Sequence, residues 1–438
     1  MEGWRLYTAM IGLAAVTGMV VALVLSGGPR LPESRPAASA AVVPVSSAAP
    51  SSGPSTRPTA SPRPTAPPSP SPSPASRSDL AGLLRPLTAS WRPAVTSLLF
   101  TRSSGVGGTT IMALPITASA PPPAPSPSGS SSPIPSVPPV AAPVPLVSFG
   151  ASGGWQTRAD GSVLAISLET AAGSARLATW NLRTGVTRWV TDDEPGVRQV
   201  TPVWSVDGSL LYYAAARGTT DLGIFRVRAD GTAKTLLRAP DAKFAGVTLT
   251  GLTADGGGLA WSYVRAGGSV DVFDLRSGRD RAFDDAAAAA ALSWRPTRPR
   301  ALVKVGGCCA GFSGGALTLW DDLAPSSRVL IPAQADSPSG VLAADWDPTG
   351  TRIVASVTER SGGGETSSLL TLDPSGAARR PIAQTEGATA VLWLRAGIIY
   401  ARTTGAGTEL VLVSPSGGPG IVLYSADGPI EQLTFATP

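Results

Sequence analysis

The 438-residue sequence contains no histidine and only three lysines. Without histidine the protein lacks the usual general base and the commonest transition-metal ligand, so a Ser-His-Asp triad is excluded. The positive charge is carried almost entirely by arginine. Residues 1–150 hold nine arginines and three acids, whereas residues 151–438 hold 26 basic and 27 acidic side chains. The net charge of +5 therefore belongs to the N-terminal region, and we expect no nucleic-acid partner for the remainder.

Cysteine is scarce as well, because the chain has only Cys308 and Cys309, inside a glycine-rich stretch. In an exported protein two thiols tend to be oxidised. Adjacent cysteines close only a strained ring, and strained disulfides are the more easily reduced ones. Two interpretations remain open: a vicinal disulfide, or two reduced thiols in a loop. Titration of free thiols without reductant distinguishes them.

Charge is absent from residues 6–29, and Tyr7–Leu25 is dominated by apolar residues. About 20 apolar residues suffice for a helix to span a bilayer. The apolar core of a cleaved signal peptide is shorter, about 7–15 residues. The length favours an uncleaved anchor over residues 1–27. We predict a single-pass protein of the cell membrane whose folded part is extracytoplasmic.

Proline is concentrated in the first 150 residues, which hold 28 of the 43 prolines. Residues 28–79 consist mainly of Pro, Ser, Ala and Thr, and a second Pro/Ser tract runs over about 119–145. Such segments cannot bury a core and are typical of extended, disordered chain. We predict a spacer over 28–79 and a folded domain over 80–438 with an insertion at 119–145.

The folded domain is organised around one sequence motif, which runs from Trp204 to Tyr213. An apolar stretch ends at Trp204, Asp207-Gly208 suits a tight turn, and residues typical of strands follow. A second Asp-Gly pair, Asp230-Gly231, predicts another tight turn between strands further along the chain. The motif therefore predicts four short antiparallel strands, which is the content of one propeller blade.

The motif recurs along the chain, and its turn glycines are separated by 47, 48, 94 and 47 residues. These glycines are Gly161, Gly208, Gly256, Gly350 and Gly397. The gap of 94 residues is twice the period and contains one degenerate copy of the motif, so residues 150–426 hold six repeats. This period predicts an all-β propeller. The apolar tail Ile430–Ala436 falls where another repeat would start, and strand-like segments occur before the repeats at Val95–Thr101, Thr109–Leu114 and Leu146–Phe149. We predict a seventh blade built from both termini, with six blades as the alternative.

Large aromatic residues recur at or near the end of the first strand of five repeats: Trp155, Trp204, Trp294, Trp346 and Trp393. Recurrence once per repeat favours packing between neighbouring sheets, since large aromatics dominate such cores. An aromatic platform for a ligand is the alternative.

The repeat Trp-Ser-x-Asp-Gly-x-x-Leu-x-Tyr, followed by a strand and x-Asp-Gly, resembles that of TolB-type (WD40-like) β-propellers. The resemblance covers residues 150–426. It implies an exported bacterial protein whose propeller binds protein partners at the cell envelope. The chain lacks the separate α/β domain that precedes the propeller of TolB.

Acidic residues cluster at Asp192–Glu194, Asp284-Asp285 and Asp321-Asp322. Paired carboxylates are the groups that most glycosidases use, but acids at strand ends are ordinarily solvated turn residues. We identify no catalytic residue, no metal ligand and no cofactor-binding residue. We therefore predict a binding or scaffolding module for a protein or glycan partner, not an enzyme. The alternative is a carboxylate-based, carbohydrate-active enzyme.

Overall fold

The computed structural model describes the following residues: 77–104, 108–117, 142–150, 152–171, 173–242, 245–264, 269–282, 289–297, 301–306, 315–321, 327–333, 339–361 and 364–436. Within these ranges the regular elements are strands apart from one short helix, α1 (Arg77–Leu83). No helix in these ranges has the length and apolar character that crossing a membrane requires. The predicted anchor over 1–27 and most of the predicted spacer lie outside the described residues.

Four strands precede the repeats: β1 (Leu84–Pro86), β2 (Ser97–Ser104), β3 (Gly108–Pro115) and β4 (Val144–Phe149). The first three repeats contain β5 (Ser152–Thr157), β6 (Val163–Ala171), β7 (Ser174–Asn181), β8 (Thr187–Trp189), β9 (Val197–Trp204), β10 (Leu210–Arg217), β11 (Thr220–Arg228), β12 (Thr235–Arg238), β13 (Ala245–Leu252), β14 (Gly258–Val264), β15 (Ser269–Asp274) and β16 (Arg279–Ala282). The last three contain β17 (Ala289–Trp294), β18 (Ala301–Gly306), β19 (Leu317–Asp321), β20 (Arg328–Ile331), β21 (Ser339–Trp346), β22 (Ile353–Ser361), β23 (Gly364–Leu372), β24 (Arg380–Ile382), β25 (Ala388–Leu394), β26 (Gly397–Thr404), β27 (Gly407–Val413) and β28 (Ile421–Ala426). The strand β29 (Ile430–Ala436) follows them.

The two ends of the domain form one sheet, as predicted. Its strand order is β29-β2-β3-β4-β1, and β29 pairs antiparallel with β2. The outer strand β1 and the helix α1 were not predicted. They form because Leu80 and Leu84, 3% and 1% exposed, pack into the core beside β4.

The prediction of six or seven separate blades is wrong as stated. Among the described residues five sheets have blade size, namely the composite sheet of both termini and the four-stranded sheets β13–β16, β17–β20, β21–β24 and β25–β28. The first two repeats instead join into one eight-stranded sheet. A single parallel bridge between Ala175 of β7 and Arg198 of β9 joins their strands. Sequence periodicity could not reveal this bridge, because it depends on how closely two neighbouring repeats approach.

Apolar cores lie between successive repeats, and the largest fully buried side chains include Trp180, Tyr213, Trp261 and Tyr400. The composite sheet packs on both sides. Its Leu99 shares a cluster with Ile166 of the first repeat, and its Phe100 shares another with Ile399 of the last repeat. The composite sheet therefore lies between the first and the last repeat and closes the ring.

The recurrent Asp-Gly pairs form the turns. Gly208 has a φ of 68° and its N–H donates to Ser205 O over 2.9 Å. A Cβ there would lie 2.2 Å from Cδ of Arg158, so glycine suits both the backbone and the space. Asp207 accepts hydrogen bonds from the Ser205 hydroxyl (2.6 Å) and the Ser209 N–H (3.1 Å). These local contacts explain why the pair recurs.

Candidate binding site at the tryptophan end of the inner strands

A cavity of about 680 Å³ opens where the first strands of the last three repeats end; we call it the tryptophan cavity. Aromatic and apolar residues dominate its wall, with one acid and one arginine among them. Its lining comprises Thr96, Ile116, Trp294, Pro296, Asp345, Trp346, Pro348, Leu392, Trp393, Leu394, Arg395, Ala396 and Phe435. Phe435, contributed by β29, is 43% exposed, so the C-terminal strand completes the aromatic wall.

The predicted tryptophans lie between neighbouring repeats, and three of them also line this cavity. Trp346 donates its indole N–H to Ser293 O of the preceding repeat (3.2 Å), and Trp204 does the same to Gln156 O (3.2 Å). Trp204 and Trp155 do not line the tryptophan cavity. Relative to the turn glycine, Trp155 comes two residues earlier than the others. Packing between neighbouring sheets and an aromatic platform for a ligand are therefore compatible interpretations of Trp294, Trp346 and Trp393.

Asp345 lies at the centre of the site, one residue before Trp346 on β21. Its Oδ1 accepts a hydrogen bond from the Ser293 hydroxyl (2.5 Å), and its Oδ2 accepts one from the Trp393 backbone N–H (2.8 Å). The carboxylate therefore joins three successive repeats. The equivalent link between the first two repeats uses Gln156, whose Oε1 accepts from the Trp204 N–H over 2.7 Å.

A second cavity of about 470 Å³ shares Asp345 and Leu392 with the first; we call it the inner-strand cavity. Residues of β17, β21, β25 and β29 line it. Its polar side chains include Ser293, Thr389 and Gln432. Gln432 has a φ of 52°, which is uncommon for a residue with a side chain and marks a bulge in the pairing of β29 with β2. Bulges of this kind redirect side chains, and here the redirected strand borders a cavity.

Burial raises the pKa of Asp345 from 3.8 to about 6, because desolvation outweighs the hydrogen bonds from Ser293, Trp393 and Trp346. Among the described residues no arginine or lysine nitrogen lies within 4.0 Å of this carboxylate. The guanidinium of Arg295 lies 5.6 Å from the ring centroid of Trp346, and Arg395 is exposed. Asp345 is therefore a desolvated carboxylate without a cationic partner in the described structure.

Replacing Asp345 with asparagine tests this assignment. A raised folded-state pKa means that folding favours the protonated acid, so Asp345 stabilises the fold most below pH 4 and loses that contribution as the pH rises through about 6. Relative to the wild type, the free energy of unfolding of Asp345→Asn should rise by about 2 kcal/mol between pH 4 and pH 7. Urea unfolding across this range measures the difference.

Asp347→Asn is the matched control. Desolvation acts on Asp347 as well, but hydrogen bonds from Thr349, Arg352 and Thr351 outweigh it and lower its pKa below 3.8. Its effect on stability should therefore stay constant between pH 4 and pH 7, since that group titrates at lower pH. The same flat dependence for Asp345→Asn would contradict the assignment.

The other predicted structural residues lie in turns away from the two cavities. Asp230 accepts hydrogen bonds from the Thr232 N–H (2.9 Å) and hydroxyl (2.6 Å), and Gly231 has a φ of 85°.

Cys308 and Cys309 lie outside the described residues, as do Asp284, Asp285 and Asp322. Asp192 and Asp193 are exposed, and Glu194 forms an ion pair with Lys234 at 2.6 Å. No group of three or more potential metal ligands occurs among the described residues.

Sequence reasoning missed Asp345. A usable signal was present in the sequence, because the residue before the repeat tryptophan is apolar or small in the other repeats, as at Gly154, Val203 and Leu392, and is charged only at Asp345. An acid at a position that faces the neighbouring repeat is costly to bury. No sequence pattern predicts the cavity itself, since its wall combines residues that are distant in the chain.

No protein-family model and no curated protein matches the sequence. Solved structures do resemble the fold. A prolyl endopeptidase matches with a TM-score of 0.51 and 14% identity over 78% of this chain and 50% of its own. A puromycin hydrolase matches with a TM-score of 0.51 and 15% identity over 76% of this chain and 53% of its own. The chain therefore spans about half the length of these two enzymes.

TolB from Acinetobacter baumannii is also among the similar structures, with a TM-score of 0.41 and 14% identity over 70% of this chain and 67% of its own. The expectation that the protein is not an enzyme is corrected by these comparisons, because the two similar structures with a TM-score of 0.51 are both enzymes. Identities of this size show the fold alone. What the sheets and the comparisons establish together is an all-β propeller.

Proposed function

We propose that the protein binds a partner at the tryptophan cavity. The observation that carries the proposal is the convergence of Trp294, Trp346, Trp393 and Phe435 around a cavity of about 680 Å³ with Asp345 in its wall. Binding sites are typically concave and mostly apolar, with a few polar groups that fix orientation. Aromatic residues and arginine are also the residues that contribute most to binding energy at interfaces.

The partner in this proposal is a protein or a glycan of the cell envelope. The resemblance to TolB-type propellers supports a protein, and the aromatic wall suits either class. We further propose that residues 1–27 anchor the chain in the cell membrane with the propeller on the extracytoplasmic side, on the basis of the uncharged segment over residues 6–29. Proteinase K added to intact spheroplasts should then degrade the propeller; protection of the propeller until lysis would contradict this orientation.

Site-specific photocrosslinking tests the binding site. A benzoylphenylalanine placed at Phe435 of the full-length protein, in cells that produce it, should form a defined adduct, because this side chain is exposed at the cavity. The matched control carries the same amino acid at Val329, which is 57% exposed and lies on the outer strand β20 away from the cavity. Mass spectrometry then identifies the adduct.

Arg395→Ala, at the exposed part of the same wall, provides a second measurement. It should reduce the yield of the adduct formed from position 435 several-fold and leave the thermal stability of the protein unchanged. Equal adducts from positions 435 and 329, or none from position 435, would refute a partner at the tryptophan cavity.

We also propose that the eight-stranded sheet represents two blades, which gives the ring seven blade positions. The four strands of each of the first two repeats retain the antiparallel order of the other repeats, and only one parallel bridge links them. Class averages of single particles viewed along the ring axis measure the number of blades. Five or six lobes would contradict the proposal.

A further inference from the structure

Asp345 has acceptor capacity that its hydrogen bonds leave unused. An ionised carboxylate offers about four acceptor sites. The side chain of Ser293 and the backbone N–H of Trp393 occupy two of them at 2.5 and 2.8 Å, and the backbone N–H of Trp346 also interacts with the carboxylate. All three donors are neutral, so one acceptor site is left. Asp345 is also in the walls of both cavities. A charged group of a ligand could therefore reach it without displacing the links between repeats.

The aromatic rings that line the tryptophan cavity together with Asp345 favour the same kind of group. A cation within about 6 Å of an indole ring is attracted by the electron density of its face. The structure already contains one such contact here, since the Arg295 guanidinium lies 5.6 Å from the Trp346 ring centroid. Trp294 and Trp393 line the cavity as well. A cavity whose wall contains both a carboxylate residue and several indole rings is the arrangement that suits an organic cation.

We infer that the tryptophan cavity takes an organic cation, a primary ammonium or guanidinium on an apolar stem, whose charge pairs with Asp345. This inference rests on the proposed binding function and specifies its ligand class. The stem packs against the apolar wall, including Leu394 and Phe435, while the cation replaces the water that burial removes from the carboxylate.

The charged groups near the site are compatible with this assignment. Arg395 is the other charged residue of the cavity wall, but it is exposed, so solvent and salt screen its repulsion. Arg295 lies over Trp346 without approaching the carboxylate to ion-pair distance. Because only the ionised carboxylate attracts a cation, and its pKa is about 6 in the unliganded protein, affinity should fall as the pH falls from 7.5 to 5.

Isothermal titration of the full-length protein with three five-carbon probes tests the inference. Pentylammonium, 1-pentanol and pentanoate share one apolar stem and differ in charge. At pH 7.5 pentylammonium should bind at least tenfold more tightly than 1-pentanol, and pentanoate should bind most weakly. Asp345→Asn should abolish the preference for the cation over 1-pentanol, while Asp193→Asn, at an exposed acid, should behave as the wild type.

The outcomes separate this inference from the proposed function. Equal affinities for pentylammonium and 1-pentanol, or a cation preference that survives in Asp345→Asn, would overturn the cation while leaving a binding cavity. Absence of binding by every probe would overturn it too, and the proposed function would then fall only if position 435 also gave no crosslink. Repeating the titration with 1,5-diaminopentane and with Nα-acetyl-lysine methylamide distinguishes a free amine from a peptide-borne one.

Discussion

A chain that ends at Gly428 is expected to lose its cooperative fold. This truncation removes β29, the strand that pairs with β2 and closes the ring. It would uncover Leu98 and Phe100, both fully buried, and would remove the buried side chains of Ile430 and Ala436. Burying one large apolar side chain contributes about 1.5–3 kcal/mol. Several such losses, together with an open sheet edge, approach the whole stability of a typical domain, about 5–15 kcal/mol.

Calorimetry and size-exclusion chromatography measure this effect. We expect the truncated chain to aggregate or to melt at least 15 °C lower than the full-length protein, because an exposed edge strand invites pairing between molecules. The control ends at Ala436 and removes only residues 437 and 438, so β29 is intact. A truncated chain that stays monomeric and melts within about 3 °C of this control would show that the repeats fold without the closing strand.

Asp221→Ala is expected to be strongly destabilising, because it removes the acid of a buried ion pair. Asp221 pairs with Arg238 at 2.7 Å, with both side chains almost inaccessible. It also accepts hydrogen bonds from the backbone N–H groups of Gly223 (2.9 Å) and Asp241 (3.2 Å). Arg238 in turn lies 4.4 Å from the ring centroid of Trp261 in the next repeat. Removing the acid leaves a buried charge without its carboxylate, which costs about 3–5 kcal/mol.

Urea unfolding of matched variants measures that cost. Glu194→Ala breaks a more exposed pair, with side-chain exposures of 34% for Lys234 and 40% for Glu194, and should cost less than about 1 kcal/mol. A double variant, Asp221→Ala with Arg238→Met, should recover part of the loss, because it removes the uncompensated charge and keeps an apolar stem beside Trp261. A cost for Asp221→Ala no greater than that for Glu194→Ala would refute a structural role for the buried pair.

The sequence by itself determined the elements whose causes are local. Asp207 and Gly208 specify their turn through hydrogen bonds within five residues and through one backbone angle. Alternation of apolar residues defines the strands between such turns, and the period of about 47 residues then requires repeated four-stranded units. Even the composite sheet followed from the sequence, because Ile430–Ala436 is an apolar strand that would otherwise lack a partner.

Only the tertiary structure decided the features that depend on how distant segments approach one another. The bridge between Ala175 and Arg198 merges two repeats, and Leu80 and Leu84 order a helix and a fifth strand at the start of the folded domain, where the sequence predicted neither element. Above all, packing brings Asp345, the tryptophans of three repeats and Phe435 of the C-terminal strand into the wall of one cavity. Desolvation and cavity shape arise from the whole surrounding packing, so no local pattern encodes them.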